Sequence, residues 1–253
     1  MTRFKVGVQI RPQHCEMAQL REAWKASDAL GVDTIWNWDH FYPLFGPADG
    51  AHFECWTMLA AIAADTSHAR FGALVTCNSY RNPELLADMA RTVDQIGGGR
   101  LILGIGSGWF ERDYTEYGYE FGTAPERLRA LGAALPRIQT RLAKLNPSGA
   151  HIPVMIGGGG EKVTLKLVAQ YAQLWNAGGS PEVFAHKNQV LNDWCAKLGR
   201  DPQEIDRTCL INAQDVDNVE AYLEAGATHV IYGLDAPDFD LKPVEKLLAL
   251  ARD

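Results

Sequence analysis

Residues 82–109 read NPELLADMARTVDQIGGGRLILGIGSGW, one helix, one turn and one strand in a single stretch. Asn82 is placed to cap a helix, Pro83 stands at its first position and Glu84 puts an acid in its first turn. Leu86, Met89, Ala90 and Val93 then recur at helical spacing, Gly97 to Gly99 end the run, and 101–105 is a short apolar strand. The same alternation extends in both directions. Strands are predicted at 4–10, 34–36, 69–75, 101–105, 153–156, 174–176, 208–212 and 228–232. Helices are predicted at 17–30, closed by Gly31, and at 54–65, 82–96, 125–145, 161–171, 180–199, 216–225 and 243–252. Eight strand–helix units without a linker or low-complexity break fit a closed (β/α)8 TIM barrel spanning 1–253 as one domain, whereas a doubly wound sheet usually shows five or six strands.

The composition is that of an ordinary globular chain: 253 residues, 47% hydrophobic and 22% charged, with a formal net charge of −7. No Lys/Arg run could neutralise a phosphate backbone, so nucleic-acid binding is not expected. Five scattered cysteines without a C-x-x-C pair argue against a disulfide framework or a structural zinc and fit a reducing cytoplasm. No apolar run reaches membrane-spanning length, and the first residues lack the pattern of a secretory leader. A small-molecule substrate is the expected partner.

In a barrel of this kind chemistry gathers on the loops after the C-terminal ends of the strands. After the second strand come Trp36-Asn37-Trp38-Asp39-His40, where His40 is a candidate acid or base and Asp39 a candidate to orient its ring. After the third, Thr76 and Asn78 are the strand-end residues best placed for ligand contact. After the fourth, Gly104-Ile105-Gly106-Ser107-Gly108-Trp109 lets a ligand approach backbone. It is neither a dinucleotide fingerprint, because Trp109 replaces the third glycine, nor a nucleophile elbow, because Ile105 replaces the first. After the fifth, Gly157-Gly158-Gly159-Gly160-Glu161-Lys162 runs toward a helix start and reads as a phosphate site. H-E-x-x-H and Cys/His clusters are absent, and no metal is expected.

Taken in order, Asp39-His40, residues 74–83 (LVTCNSYRNP), residues 98–109 (GGRLILGIGSGW) and residues 156–162 (IGGGGEK) resemble the luciferase-like monooxygenase superfamily over residues 4–207. The sequence is most similar to its actinobacterial branch of oxidoreductases that use the deazaflavin coenzyme F420, a branch that also carries a run like Glu54-Cys55-Trp56. The resemblance implies a non-prolyl cis peptide near Leu74-Val75 beneath a bent tricyclic ring, a cofactor phosphate on Gly157 to Gly160, and His40 close to the reactive carbon. Leu74, Val75, Thr76, Asn78, Gly106, Ser107, Gly108, Trp109, Gly157, Gly158, Gly159, Gly160, Glu161, Lys162 and Asn176 form the candidate cofactor-binding set. His40 and Asp39 form the candidate catalytic pair.

The implied activity is hydride transfer between F420 and a small organic substrate. The alternatives are an FMN-dependent monooxygenase of the same fold and a non-catalytic F420-binding protein. Members of the superfamily commonly carry an insertion before strand five; here that region is short, so the pocket is expected to be more open or completed by a partner subunit in a homodimer.

Overall fold

The computed structural model describes residues 2–252. Its strands are β1 (Lys5–Ile10), β2 (Thr34–Asn37), β3 (Arg70–Ala73), β4 (Thr76–Cys77), β5 (Leu101–Gly106), β6 (Val154–Gly157), β7 (Leu174–Ala177), β8 (Asp206–Ile211) and β9 (His229–Leu234). Every ladder is parallel, and β1 pairs with β9 from Lys5 opposite His229 to Ile10 opposite Leu234, which closes the sheet. The short segments β3 and β4 are two halves of one barrel strand, because both lie along β5, Phe71 opposite Leu101 and Thr76 opposite Ile105. The molecule is therefore a single-domain, eight-strand TIM barrel. The third strand is not the continuous run expected over 69–75; it breaks at Leu74-Val75, whose peptide bond is cis.

The helices are α1 (Met17–Leu30), α2 (Cys55–Asp65), α3 (Pro83–Ile96), α4 (Glu111–Tyr117), α5 (Ala124–Lys144), α6 (Thr164–Tyr171), α7 (Pro181–Leu198), α8 (Val219–Glu224) and α9 (Lys242–Arg252). Their ends follow local chemistry. Gly31 closes α1 in the left-handed region at φ 87°, which a residue without Cβ adopts at little cost. The Asn82 side chain accepts from the Glu84 and Leu85 N–H groups at the start of α3, with Pro83 where no N–H is needed.

Three departures from the sequence pattern matter. Helix α4 has no counterpart in that pattern. Helix α6 starts at Thr164 and not at Glu161, so a turn separates it from the glycine run. The helix expected over 216–225 is a 3-10 segment, Ala213–Asn218, followed by the short α8.

Apolar side chains form two main layers, beside a third, small cluster of Cys77, Tyr80 and Tyr114. The larger lies between strands and helices and includes Trp24, Phe71, Trp175 and Phe184, all wholly buried. The smaller fills the barrel itself with Trp36, Leu74, Ile102, Met155, Leu174 and Ile231. At about 1.5–3 kcal/mol for each large apolar side chain removed from water, these layers fix the strand ends as a rigid rim for the loops. Residues 145–153 connect α5 to β6 on the face opposite the rim, while the rim itself carries residues 107–123, with α4, between β5 and α5.

Candidate active site

His40 lies just past β2, with a side chain that is 12% exposed. Its Nδ1 is 2.7 Å from Oδ2 of Asp113, a wholly buried carboxylate on α4. Rings of Trp38, Phe110 and Trp109 present edges to it at centroid distances of 6.0, 5.5 and 5.6 Å. Trp109 is itself 63% exposed, so the imidazole sits under an aromatic lip that opens to solvent. Close by, His52 Nε2 accepts a hydrogen bond from Trp38 Nε1 at 2.8 Å. Burial, and then the nearby His40, push the His52 imidazole down to about 4, so at neutral pH it is an uncharged acceptor.

Asp39 does not orient His40. Its carboxylate is buried and takes both arms of Arg81, at 2.5 and 3.0 Å, and the Cys77 N–H at 2.9 Å. Successive side chains of an extended segment point to opposite sides, so neighbours in sequence have different partners. Burial pushes the Asp39 carboxyl up while the Arg81 guanidinium pulls it down, and burial likewise opposes the charge that Asp39 supports on Arg81. Asp39 thus bolts the β2 loop to β4, and the partner of His40 comes from further along the chain.

The strand-end glycines cluster on one side chain. A Cβ on Gly106 would lie 2.7 Å from Cγ2 of Val75, and one on Gly157 would lie 3.0 Å from its Cγ1. Val75 is half-buried and stands over bare backbone of β5 and β6. Leu74 instead packs inside the barrel, and its carbonyl accepts from Gln9 Nε2 at 3.1 Å. Thr76 is wholly buried, and its Oγ1 finds no partner among the described residues. Asn78 is buried at the head of a single 3-10 turn, and Ser107 is half-buried beside Gly108. At Gly108, φ is 82° and a side chain would run into Tyr114 Oη; its carbonyl accepts from Arg127 Nε at 3.1 Å.

Gly158 adopts φ 118°, a region few L side chains enter. Its N–H donates to the Asn176 carbonyl at 2.9 Å, and its own carbonyl accepts from Trp175 Nε1 at 2.9 Å. Asn176 spends its side-chain amide on Thr208 Oγ1 at 2.8 Å, so it braces the glycine loop from beneath. Among the described residues, no hydrogen bond of the chain uses the N–H groups of Gly159, Gly160 or Glu161. Glu161 turns its carboxylate outward to Lys187 at 2.5 Å and His186 at 3.0 Å, while Lys162 is exposed. The loop therefore offers backbone donors and not the carboxylate. No group of three or more His, Cys, Asp or Glu side chains among the described residues could hold a metal ion.

Sequence reasoning missed Asp113 because α4 has seven residues and no long apolar stripe. One local signal was present: Gly118 closes that helix in the left-handed region at φ 70°, as Gly31 closes α1. The partnership between Asp113 and His40 spans 73 positions and is visible only once the barrel brings the β2 and β5 loops together.

The luciferase-like monooxygenase family matches residues 1–238, and the chain belongs to that family. Among relatives, the phthiodiolone/phenolphthiodiolone dimycocerosates ketoreductase of Mycobacterium tuberculosis strain H37Rv is 28% identical over 246 residues, covering 81% of this chain. The chain spans 64% of that relative's length. Among solved structures, an F420-dependent secondary alcohol dehydrogenase in complex with an F420-acetone adduct superposes at a TM-score of 0.86 with 16% identity, over 99% of this chain and 100% of that one. The oxygenating constituent of 3,6-diketocamphane monooxygenase from Pseudomonas putida, in complex with FMN, superposes at 0.74 with 13% identity, over 99% and 97%. These likenesses confirm the barrel. Oxidoreductases stand among both the relatives and the structural neighbours.

Proposed function

We propose that the protein is an F420-dependent oxidoreductase that exchanges hydride with a small organic substrate at the barrel mouth. One observation carries the reading: a proton-transfer group, His40, shares a rim with an apolar seat, Val75 over bare glycine backbone, and with unpaired backbone N–H groups at Gly159 to Glu161. A flat tricyclic ring needs such a seat, and a phosphate needs such donors.

In this reading Val75, Gly106, Ser107 and Gly108 support the ring, Trp109 covers its edge, and Gly157 to Gly160 hold the phosphate. When bound, the deazaflavin accepts or gives hydride. The chain's own contribution is positional and protonic. His40 gives or takes the substrate hydroxyl proton, and the rings of Trp38, Trp109 and Phe110 keep bulk water from that proton. His52, held neutral by burial, adds no competing charge beside it.

The second reading is an FMN-dependent monooxygenase, favoured by the superposition on an FMN-bound oxygenating enzyme. Titrating the purified chain with F420 and with FMN, each followed by its own fluorescence, separates the two. F420 is expected to bind at least tenfold more tightly, which requires only about 1.4 kcal/mol of differential contact. Equal or reversed affinities would overturn the reading, and oxygen consumption with reduced FMN would install its rival.

A further inference from the structure

The Asp113 carboxylate has three hydrogen-bonding contacts. Oδ1 takes the Phe41 N–H at 3.0 Å, and Oδ2 takes the Tyr80 hydroxyl at 3.0 Å and faces His40 Nδ1 at 2.7 Å. Burial holds the Tyr80 phenol far above its ordinary range, so it stays protonated and donates. An ionised carboxylate is acceptor-only, so the contact at Nδ1 forms when that nitrogen carries the proton.

We infer that Asp113, and not Asp39, is the positioning residue of His40: it fixes the neutral imidazole as the Nδ1–H tautomer and leaves Nε2 bare as the atom that exchanges protons. Asp113 is wholly buried behind the ring. It acts through the ring, as a carboxylate behind a histidine does wherever one nitrogen must be held protonated for the other to work. Tyr80 and the Phe41 N–H aim the carboxylate, and α4 carries it on the same segment that begins with the Gly106 to Trp109 loop.

The role of His40 in turnover rests on the proposed function, but its tautomer does not. That lets the two ideas fail separately.

The three partners of Asp113 dictate what an amide would do in its place. In Asp113→Asn the Phe41 N–H remains a fixed donor and would keep the new carbonyl oxygen for itself. The amide nitrogen would then face His40 Nδ1, which could only accept, and the ring proton would move to Nε2.

The test is long-range 1H–15N correlation spectroscopy on the whole chain labelled at histidine, without cofactor or substrate. His40 is assigned by difference from His40→Gln, and its neutral form is read at the alkaline end of a pH series. The parent is expected to show Nδ1 protonated and Nε2 bare, and Asp113→Asn the reverse. Asp39→Asn and Tyr80→Phe are expected to keep the parent pattern. A parent spectrum with the proton on Nε2 would overturn the assignment without any variant having to fold. A folded Asp113→Asn that keeps the parent tautomer, or an Asp39→Asn that inverts it, would also overturn it.

Discussion

His40 and Asp39 are neighbours in sequence but do different work, and their substitutions should separate rate from stability. His40→Ala is expected to keep cofactor affinity within about threefold and to lose ~10²–10⁴-fold in turnover, the usual contribution of a positioned acid or base. Full activity in that variant would assign the proton to another group. Asp39→Ala strips a buried carboxylate from Arg81, whose side chain is 10% exposed, and leaves the guanidinium without its main partner. Breaking a buried pair from one side typically costs about 3–5 kcal/mol, so a large fall in the urea midpoint is expected, with whatever activity survives set by folding. An unchanged midpoint would show that Glu54, 2.9 Å from Arg81, carries the pair alone. His40 stands out in the sequence as a candidate because a strand end next to an acid is a recognisable place for an acid or base. The true pairing could not, because Asp113 and Arg81 each meet their partners across more than forty positions.

The glycine segment between β6 and α6 shows how an element can be legible in kind and misjudged in detail. Four consecutive glycines signal that backbone must lie bare, and the structure bears this out at Gly158, whose left-handed φ excludes most other residues. The sequence does not show that Glu161 to Val163 form a turn before α6, because Glu and Lys are good helix formers and conceal the delay. Gly106 and Gly157 also serve a packing purpose no pattern announces, since each clears room for Val75. Helices with strong caps, such as α3 and α7, were readable almost to the residue. Gly158→Val should rotate the loop and displace the free N–H groups that follow. Cofactor affinity is expected to drop at least tenfold while the thermal midpoint changes by only a few degrees, because Gly158 is exposed and outside the core. Unchanged affinity in the folded variant would place the phosphate elsewhere.

At the scale of the whole molecule, the barrel stores acid sensitivity in its interior. His229 on β9 is wholly buried; Nε2 meets Thr34 Oγ1 at 2.9 Å and Nδ1 has no partner among the described residues. Burial pushes its imidazole down from the ordinary 6.5 to about 3. Between those values the unfolded chain binds a proton that the folded chain refuses, so stability is complete above pH 6.5 and is lost as pH falls toward 3. The slope approaches about 1.4 kcal/mol per pH unit, and the loss from His229 between pH 7 and pH 5 comes to about 2 kcal/mol. His52, held near 4, acts with the same sign. Global charge works the other way, because a chain of net charge −7 repels itself less as it is acidified toward neutrality. A fall in stability over this range therefore points to buried imidazoles. For a chain of this length the His229 contribution corresponds to roughly 4–8 °C in thermal midpoint. His229→Gln keeps a side chain that can bond Thr34 and removes the titration, so its midpoint should fall less than the parent's between pH 7 and pH 5 by about that amount. Parallel pH profiles for the two proteins would show that the acid sensitivity lies elsewhere in the fold.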